Sequence, residues 1–352
     1  AEATVETLLR QGLDTVYALP GLHNDPLFDA FYHAADRLRV IHPRHEQTAA
    51  YMALGAALVT GKPQAFAVVP GPGMLNAGAA LLTAYGMNAP VIGLIGQIPQ
   101  ADIDRGHGHL HEIHDQLGMM RHITKWAERI RSPQEAPTLV SQAIWQATSG
   151  RPRPVALECA LDTWAKRADV TLPASPLPLP APAIDDEAIA AAAKILGAAE
   201  RPIIVVGGGA LDASAEVIAI AELLEAPVAT TVSGQGTIPH NHPLAVGVVG
   251  SNGGVIPTRE LLMGADLVCF VGCRAGSVTT ERWRYPAPGK ARIVQIDADP
   301  MVLGATYEAE VAVLGDAKLV LAALLAELRS RIESPPARKR GRAAVAAAKQ
   351  AK

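Results

Sequence analysis

Gln64-Ala65-Phe66-Ala67-Val68-Val69-Pro70-Gly71-Pro72-Gly73-Met74-Leu75-Asn76 is the stretch that decides the fold. Its first six residues form a short apolar run bounded by a turn signal, which predicts a buried strand. Pro70 to Gly73 ends that strand. Apolar residues then recur at helical spacing from Leu75 to Tyr85. Strand, Gly/Pro turn and helix make one unit of a parallel sheet covered by helices.

Outward from this unit the same rhythm repeats. On the N-terminal side the pattern predicts a helix at the start (Ala3, Val5, Leu8, Leu9), a strand over 15–19, a helix over 25–38, a strand over 39–42 and a helix over 46–60. On the C-terminal side it predicts strands over 90–95 and 154–159, with a helix over 133–148 between them. Pro173, Pro176, Pro178, Pro180 and Pro182 then form a stiff, extended connector. Behind it come a helix over 188–198, a strand over 202–206, the tight turn Gly207-Gly208-Gly209 and a helix over 214–224. Strands over 228–231, 267–271 and 293–296 and a closing helix over 316–331 complete the pattern.

The fold class is therefore α/β, with two doubly wound parallel-sheet Rossmann-like domains. They are expected at 1–170 and 187–331, with a Pro-rich linker at 171–186 and a linker or tail at 332–352. In that tail Arg338, Lys339, Arg340 and Arg342 follow Ser334-Pro335-Pro336, as in an exposed linker or a helix awaiting a partner.

Composition excludes several classes. The 352 residues exceed what one core usually serves. A net charge of −3 gives no nucleic-acid footprint. No uninterrupted apolar window approaches the ~18 residues of a membrane span. The chain starts at Ala1 already in a helical pattern, which reads as a trimmed terminus without a signal peptide. Cys159, Cys269 and Cys273 are an odd set in apolar stretches, which points to reduced thiols and a cytoplasmic setting.

Four features carry chemistry. Glu46, in Arg44-His45-Glu46-Gln47, follows a short strand and opens a helix. A carboxylate there is either a plain complement to the helix dipole or a functional group. The Gly71-Pro72-Gly73 turn lets a ligand approach the backbone at a helix N-terminus, although ordinary turn geometry explains it equally. Gly207-Gly208-Gly209 is in the same position in the second domain. The stretch from Arg105 to His114 is rich in glycine and histidine (His107, His109, His111, His114). A metal site is the rival reading for those histidines, and none is expected because no fixed framework of carboxylate or cysteine ligands accompanies them.

Taken in order, these segments resemble the pyrimidine-binding domain of thiamine-diphosphate enzymes of the acetolactate synthase type. The matching motifs are Pro20-Gly21, Arg44-His45-Glu46-Gln47-x-Ala49-Ala50, Gly71-Pro72-Gly73-x-x-Asn76 and Ala89-Pro90-Val91-x-x-Leu94-x-Gly96-Gln97. The second half resembles the family's central domain through Arg201-Pro202, Gly207-Gly208-Gly209, Pro227 to Thr231, Gly234-x-Gly236, His242-Pro243-Leu244, Ala265-Asp266-Leu267, Gly272-x-Arg274, Ile296-Asp297-x-Asp299 and Gly315-Asp316. The resemblance covers roughly residues 1 to 331.

The resemblance implies thiamine diphosphate as cofactor and Glu46 as the carboxyl that hydrogen-bonds N1′ of its aminopyrimidine, which favours the C2 ylide. That chemistry asks for a carboxyl held in a dry pocket where it can share a proton. Pro20, Gly21, Gly71, Pro72, Gly73 and Asn76 fall at cofactor-binding positions. His23, on a loop that lines the family's active site, and His111, in Leu110-His111-Glu112 where the family carries a glutamine, are the candidates for proton transfer to substrate. Gly207, Gly208, Gly209 and Arg274 are candidate nucleotide contacts. The run after Arg274 lacks the family's FAD-binding pattern, which puts FAD in doubt. No Gly-Asp-Gly occurs, so the diphosphate and Mg²⁺ are expected on a third domain, elsewhere on the polypeptide or on another chain.

The function expected is C–C cleavage, with or without ligation, of a 2-oxo acid or ketone by a homodimer or tetramer. The alternatives are a 2-oxo acid decarboxylase or cyclic-diketone hydrolase of the same family, and a non-catalytic nucleotide-binding or regulatory module.

Overall fold

The computed structural model describes residues 1–179, 183–332 and 340–351. Pro180 and Pro182 of the connector lie outside the described residues, as do Ser334 to Lys339 of the tail. The chain divides into two compact units, Ala1–Pro180 and Ala181–Lys352.

The first unit is built on six parallel strands: β1 (Thr15–Ala18), β2 (Arg39–Ile41), β3 (Gln64–Val68), β4 (Val91–Gln97), β5 (Trp126–Ile130) and β6 (Val155–Ala160). Their order across the sheet is β2-β1-β3-β4-β6-β5. The helices are α1 (Glu2–Arg10), α2 (Asp25–His33), α3 (Glu46–Thr60), α4 (Pro72–Met87), α5 (Gln116–Ile123), α6 (Ala136–Thr148) and α7 (Leu161–Ala165).

Strand alternation sorts the core into two layers. Ala65 and Ala67 of β3 pack with α1, α2 and α6 on one face. Phe66 and Val68 pack with α3, α4 and α5 on the other. Phe66 is wholly buried, and that burial stabilises by about 2–3 kcal/mol. The helices that follow β2 and β3 have clear stops. α3 ends at Gly61 with φ 67°, and α4 ends at Asn88 with φ 58°, both left-handed caps.

The second unit repeats the plan with β7 (Pro202–Val206), β8 (Val228–Thr230), β9 (Ala245–Val248), β10 (Leu267–Val271), β11 (Arg292–Asp297) and β12 (Val311–Leu314). Their order is β12-β11-β10-β7-β8-β9, again parallel. The helices are α8 (Asp186–Ala198), α9 (Ser214–Leu224), α10 (Ile256–Gly264), α11 (Ala317–Arg331) and α12 (Arg340–Gln350).

The tail departs from an exposed linker. α12 lies on its own unit, with Val345 buried and Lys349 Nζ donating to the carbonyls of His240 and His242. Arg342 pairs with Glu225. Among the described residues no helix is long and apolar enough to cross a membrane.

In both sheets the strand order turns back, between β1 and β3 in the first and between β7 and β10 in the second. In an open parallel sheet the loops leaving the strands at such a reversal splay apart and leave a crevice where ligands bind.

Candidate active site

Four loops leave the first sheet at the C-terminal ends of β1 to β4, two of them flanking its reversal. The loop after β1 carries Pro20, Gly21 and His23, and the loop after β2 leads into Glu46. The loop after β3 carries Gly71 and Gly73, and the loop after β4 carries His111.

Glu46 is the first residue of α3. His45 caps that helix, its Nδ1 accepting the Gln47 N–H at 3.1 Å. The Glu46 side chain is 16% exposed. Asn76, from the first turns of α4, donates its Nδ2–H to Glu46 Oε2 at 3.0 Å. His45 Nδ1 lies 3.9 Å from the same oxygen. Among the described residues Oε1 has no protein partner, so the carboxylate is held by one oxygen and presents the other.

Gly73 and Gly71 show why the turn needs glycine. A Cβ on Gly73 would lie 2.7 Å from Val69 Cγ2 and 3.7 Å from Glu46 Cγ. One on Gly71 would lie 2.5 Å from the His111 carbonyl oxygen. Gly71 also has φ 58° and ψ −115°, which an L side chain resists. Protein packing therefore already accounts for both glycines. Gly21 packs on the same Val69, with 2.6 Å between its would-be Cβ and Val69 Cγ1. Pro20 and Pro72 are exposed, and Pro72 opens α4 where a missing N–H costs nothing.

Gly71→Ala is expected to destabilise the first unit by about 2–3 kcal/mol, from the strained backbone and the displaced His111 carbonyl. That amounts to a fall of roughly 5–10 °C in melting temperature. A thermal melt unchanged from wild type would refute the close approach.

His23 and His111 meet, their rings stacked with centroids 5.2 Å apart. The Nδ1 atoms of both are buried without a partner among the described residues. Burial pulls the His23 imidazolium below its ordinary range, the His111 ring adds to this, and a hydrogen bond to the Leu110 carbonyl opposes it. As pH falls through 6.5, the unfolded chain takes up this proton before the folded one does. Stability contributed here is complete above that pH and is lost below it. Melting temperature measured from pH 7 to pH 5 should fall less steeply in His23→Gln than in wild type. Parallel slopes would remove His23 from the account.

Beneath the loops lies a polar network that the sequence pattern hides. Glu158, in the middle of β6, is wholly buried. Its Oε1 accepts from Gln116 Nε2 at 2.8 Å and Gln97 Nε2 at 2.9 Å, and its Oε2 accepts from Arg129. Gln116 in turn accepts the Gly71 N–H at 2.8 Å and donates to the Gly96 carbonyl at 3.1 Å. The Gly71 turn is thus tied to the sheet through one side chain. The available signal was a lone glutamate inside the apolar run Val155–Ala160, a position that demands partners.

In the second unit the glycine turn is explained by packing. A Cβ on Gly207 would lie 2.1 Å from the Gly272 carbonyl oxygen, and one on Gly209 would lie 3.0 Å from Gly272 Cα. The loops after β7 and β10 meet backbone to backbone, which requires these glycines with or without a nucleotide. Arg274 is exposed beside them.

Comparison with known proteins agrees with this architecture. The description "Thiamine pyrophosphate enzyme, N-terminal TPP binding domain" matches residues 1–119, and "Thiamine pyrophosphate enzyme, central domain" matches residues 189–324. The "Probable acetolactate synthase large subunit" of Methanocaldococcus jannaschii is 35% identical over 336 residues, 93% of this chain and 56% of that protein. The "Probable 2-ketoarginine decarboxylase" of Pseudomonas aeruginosa is 36% identical over 328 residues, 93% of this chain and 57% of that protein. Acetolactate synthase isozyme 1 large subunit of Escherichia coli is 34% identical over 336 residues, 95% and 59% of the two chains. The chain therefore spans between 56% and 59% of the length of these relatives.

Proposed function

Because the chain belongs to the thiamine pyrophosphate enzyme family, we propose that it supplies the aminopyrimidine side of a thiamine-diphosphate site in an acetolactate synthase-like enzyme acting on 2-oxo acids. The observation that carries this reading is the Glu46 carboxylate, fixed through Oε2 by Asn76 with Oε1 unpartnered. It lies against the turn that leaves β3, where a Cβ on Gly73 would come 3.7 Å from Glu46 Cγ. Thiamine diphosphate, when bound, is the electron sink that lets a bond beside a carbonyl break.

The chain's own residues then divide the work. Glu46 Oε1 would share a proton with N1′ of the aminopyrimidine. Asn76 prevents the carboxyl from rotating away. Pro20, Gly21 and the 71–73 turn would lie against the cofactor's aminopyrimidine. His23 and His111 hold unpartnered Nδ1 atoms that give or take a proton at substrate level. The Glu46 side chain keeps 16% exposure, so the dry pocket that its task requires is completed by protein outside this chain.

The diphosphate and Mg²⁺ fall to a further domain, since no Gly-Asp-Gly is present to hold them. Exposed Leu58, Val59, Leu75, Leu82 and Met87 on α3 and α4 favour a covered surface there, in keeping with a dimer or tetramer. Cys159, Cys269 and Cys273, all buried, suit a cytoplasmic setting.

One observation favours a decarboxylase as the second reading. The chain is similar to a 2-ketoarginine decarboxylase of Pseudomonas aeruginosa. The test supplies the protein with a diphosphate-binding domain, thiamine diphosphate and Mg²⁺. Pyruvate and an aromatic 2-oxo acid are offered in turn. Cofactor-dependent CO₂ release with a ligated hydroxy-keto acid supports the leading reading, and release of free aldehyde supports the second. No consumption, with no cofactor bound, would leave the regulatory module.

A further inference from the structure

The loop after β4 brings together three side chains that the reading above leaves unused. His107 Nδ1 lies 3.2 Å from Asp102 Oδ1, and His109 Nε2 lies 3.2 Å from Asp102 Oδ2. One donor atom from each of the three lies within 4.8 Å of the other two. We propose that Asp102, His107 and His109 form a binding site for a divalent transition-metal ion of the zinc type, separate from the cofactor's magnesium.

The donor set decides the kind of ion. Imidazole nitrogens suit zinc and its neighbours, whereas magnesium takes oxygen donors. Bond lengths of about 2.0–2.2 Å place donors in a tetrahedral zinc shell about 3.3 Å apart. Each histidine nitrogen lies 3.2 Å from a different Asp102 oxygen, close to that edge, and without an ion the His107 contact serves as a hydrogen bond. Three protein donors leave a fourth position, and side-chain exposures of 28–53% leave it open to water or a small ligand.

The loop is held in the required shape by a group that is not a donor. Glu112 Oε1 accepts the N–H groups of Gly106 and His107, and its Oε2 accepts those of Gly108 and His109, at 2.6–3.2 Å. Gly106 and Gly108 have φ 69° and 79°, which allows four successive N–H groups to face one carboxylate. That clamp fixes both histidines from behind, as supporting groups do in metal sites. An ion here would also brace the loop whose His111 carbonyl rests on Gly71.

No metal is expected from the sequence, where no fixed framework of carboxylate or cysteine ligands accompanies the histidines. Asp102 comes from the short turn Gln100–Asp102 that precedes the loop, and only the fold returns the loop to it.

The test is a calorimetric titration of zinc into chelator-treated protein in excess Mg²⁺. One saturable zinc ion per chain is expected. Asp102→Ala, His107→Asn and His109→Asn should each lose it, and Glu112→Ala should weaken it about 10–100-fold. His33→Gln, an exposed histidine elsewhere, should bind zinc as wild type does. His107 and His109 are partly exposed, so their variants read the site even where Asp102→Ala fails to fold. Absence of saturable binding in wild type, or equal affinity in the His107 and His109 variants, would overturn the proposal.

Discussion

Replacing Glu158 by alanine should destabilise the first unit by about 3–5 kcal/mol, the usual cost of breaking a buried ion pair from one side. Arg129, whose side chain is 17% exposed, would keep its charge without the carboxylate that neutralises it. Gln97 and Gln116 would each lose an acceptor at nearly full burial. The fall in melting temperature should be roughly 10 °C or more for a unit of this size. The damage should also reach the site, because Gln116 Oε1 holds the Gly71 N–H. Glu158→Gln should be intermediate, since it restores the hydrogen bonds and not the charge. A melt of Glu158→Ala within about 2 °C of wild type would show that the network is idle.

Glu46→Gln should behave in the opposite way, with the fold kept and turnover lost. The substitution removes a carboxylate from a helix start, which costs only about 0.3–1 kcal/mol. Asn76 still finds an amide oxygen to donate to. The shared proton, however, has no carboxyl to share it. Positioned acid–base groups contribute about 10²–10⁴-fold, or about 3–5 kcal/mol of barrier. In the protein assembled with a diphosphate-binding domain, kcat should fall by that factor at saturating cofactor. A second arm keeps the two roles distinct. Asn76→Ala should lower turnover less, because it loosens the carboxyl without removing it.

The sequence was most legible where a strand is buried on both sides. The central strand β3 and the helices α3 and α9 lie where periodicity predicts them. The strands it misses are β5, β9 and β12, each at the edge of a sheet. Edge strands are covered less completely and tolerate charge, as Glu128 and Arg129 in β5 show, so the continuous apolar run disappears. The helix read over 25–38 stops at His33, and the residues up to Leu38 form turns.

The site shows the same division. Glu46, Asn76 and the 71–73 turn fall on ordered motifs, and their meeting follows from the sheet reversal. The stacking of His23 on His111 depends on a loop that crosses from β4 to the turn after β3, which no local pattern specifies. The Glu158 network joins residues 97, 116, 129 and 158, and such long-range pairing leaves only a misplaced glutamate as its trace. The glycines of the second unit looked like a nucleotide turn because close backbone crossing and pyrophosphate approach call for the same residue.

Glu46 as the proton partner of the cofactor is the central claim, and proton exchange at the cofactor tests it most directly. The measurement is the rate at which the C2 proton of bound thiamine diphosphate exchanges with D₂O, in wild type and in Glu46→Gln at equal occupancy. The account predicts exchange at least about 100-fold slower in the variant. Equal rates in the two proteins would contradict it.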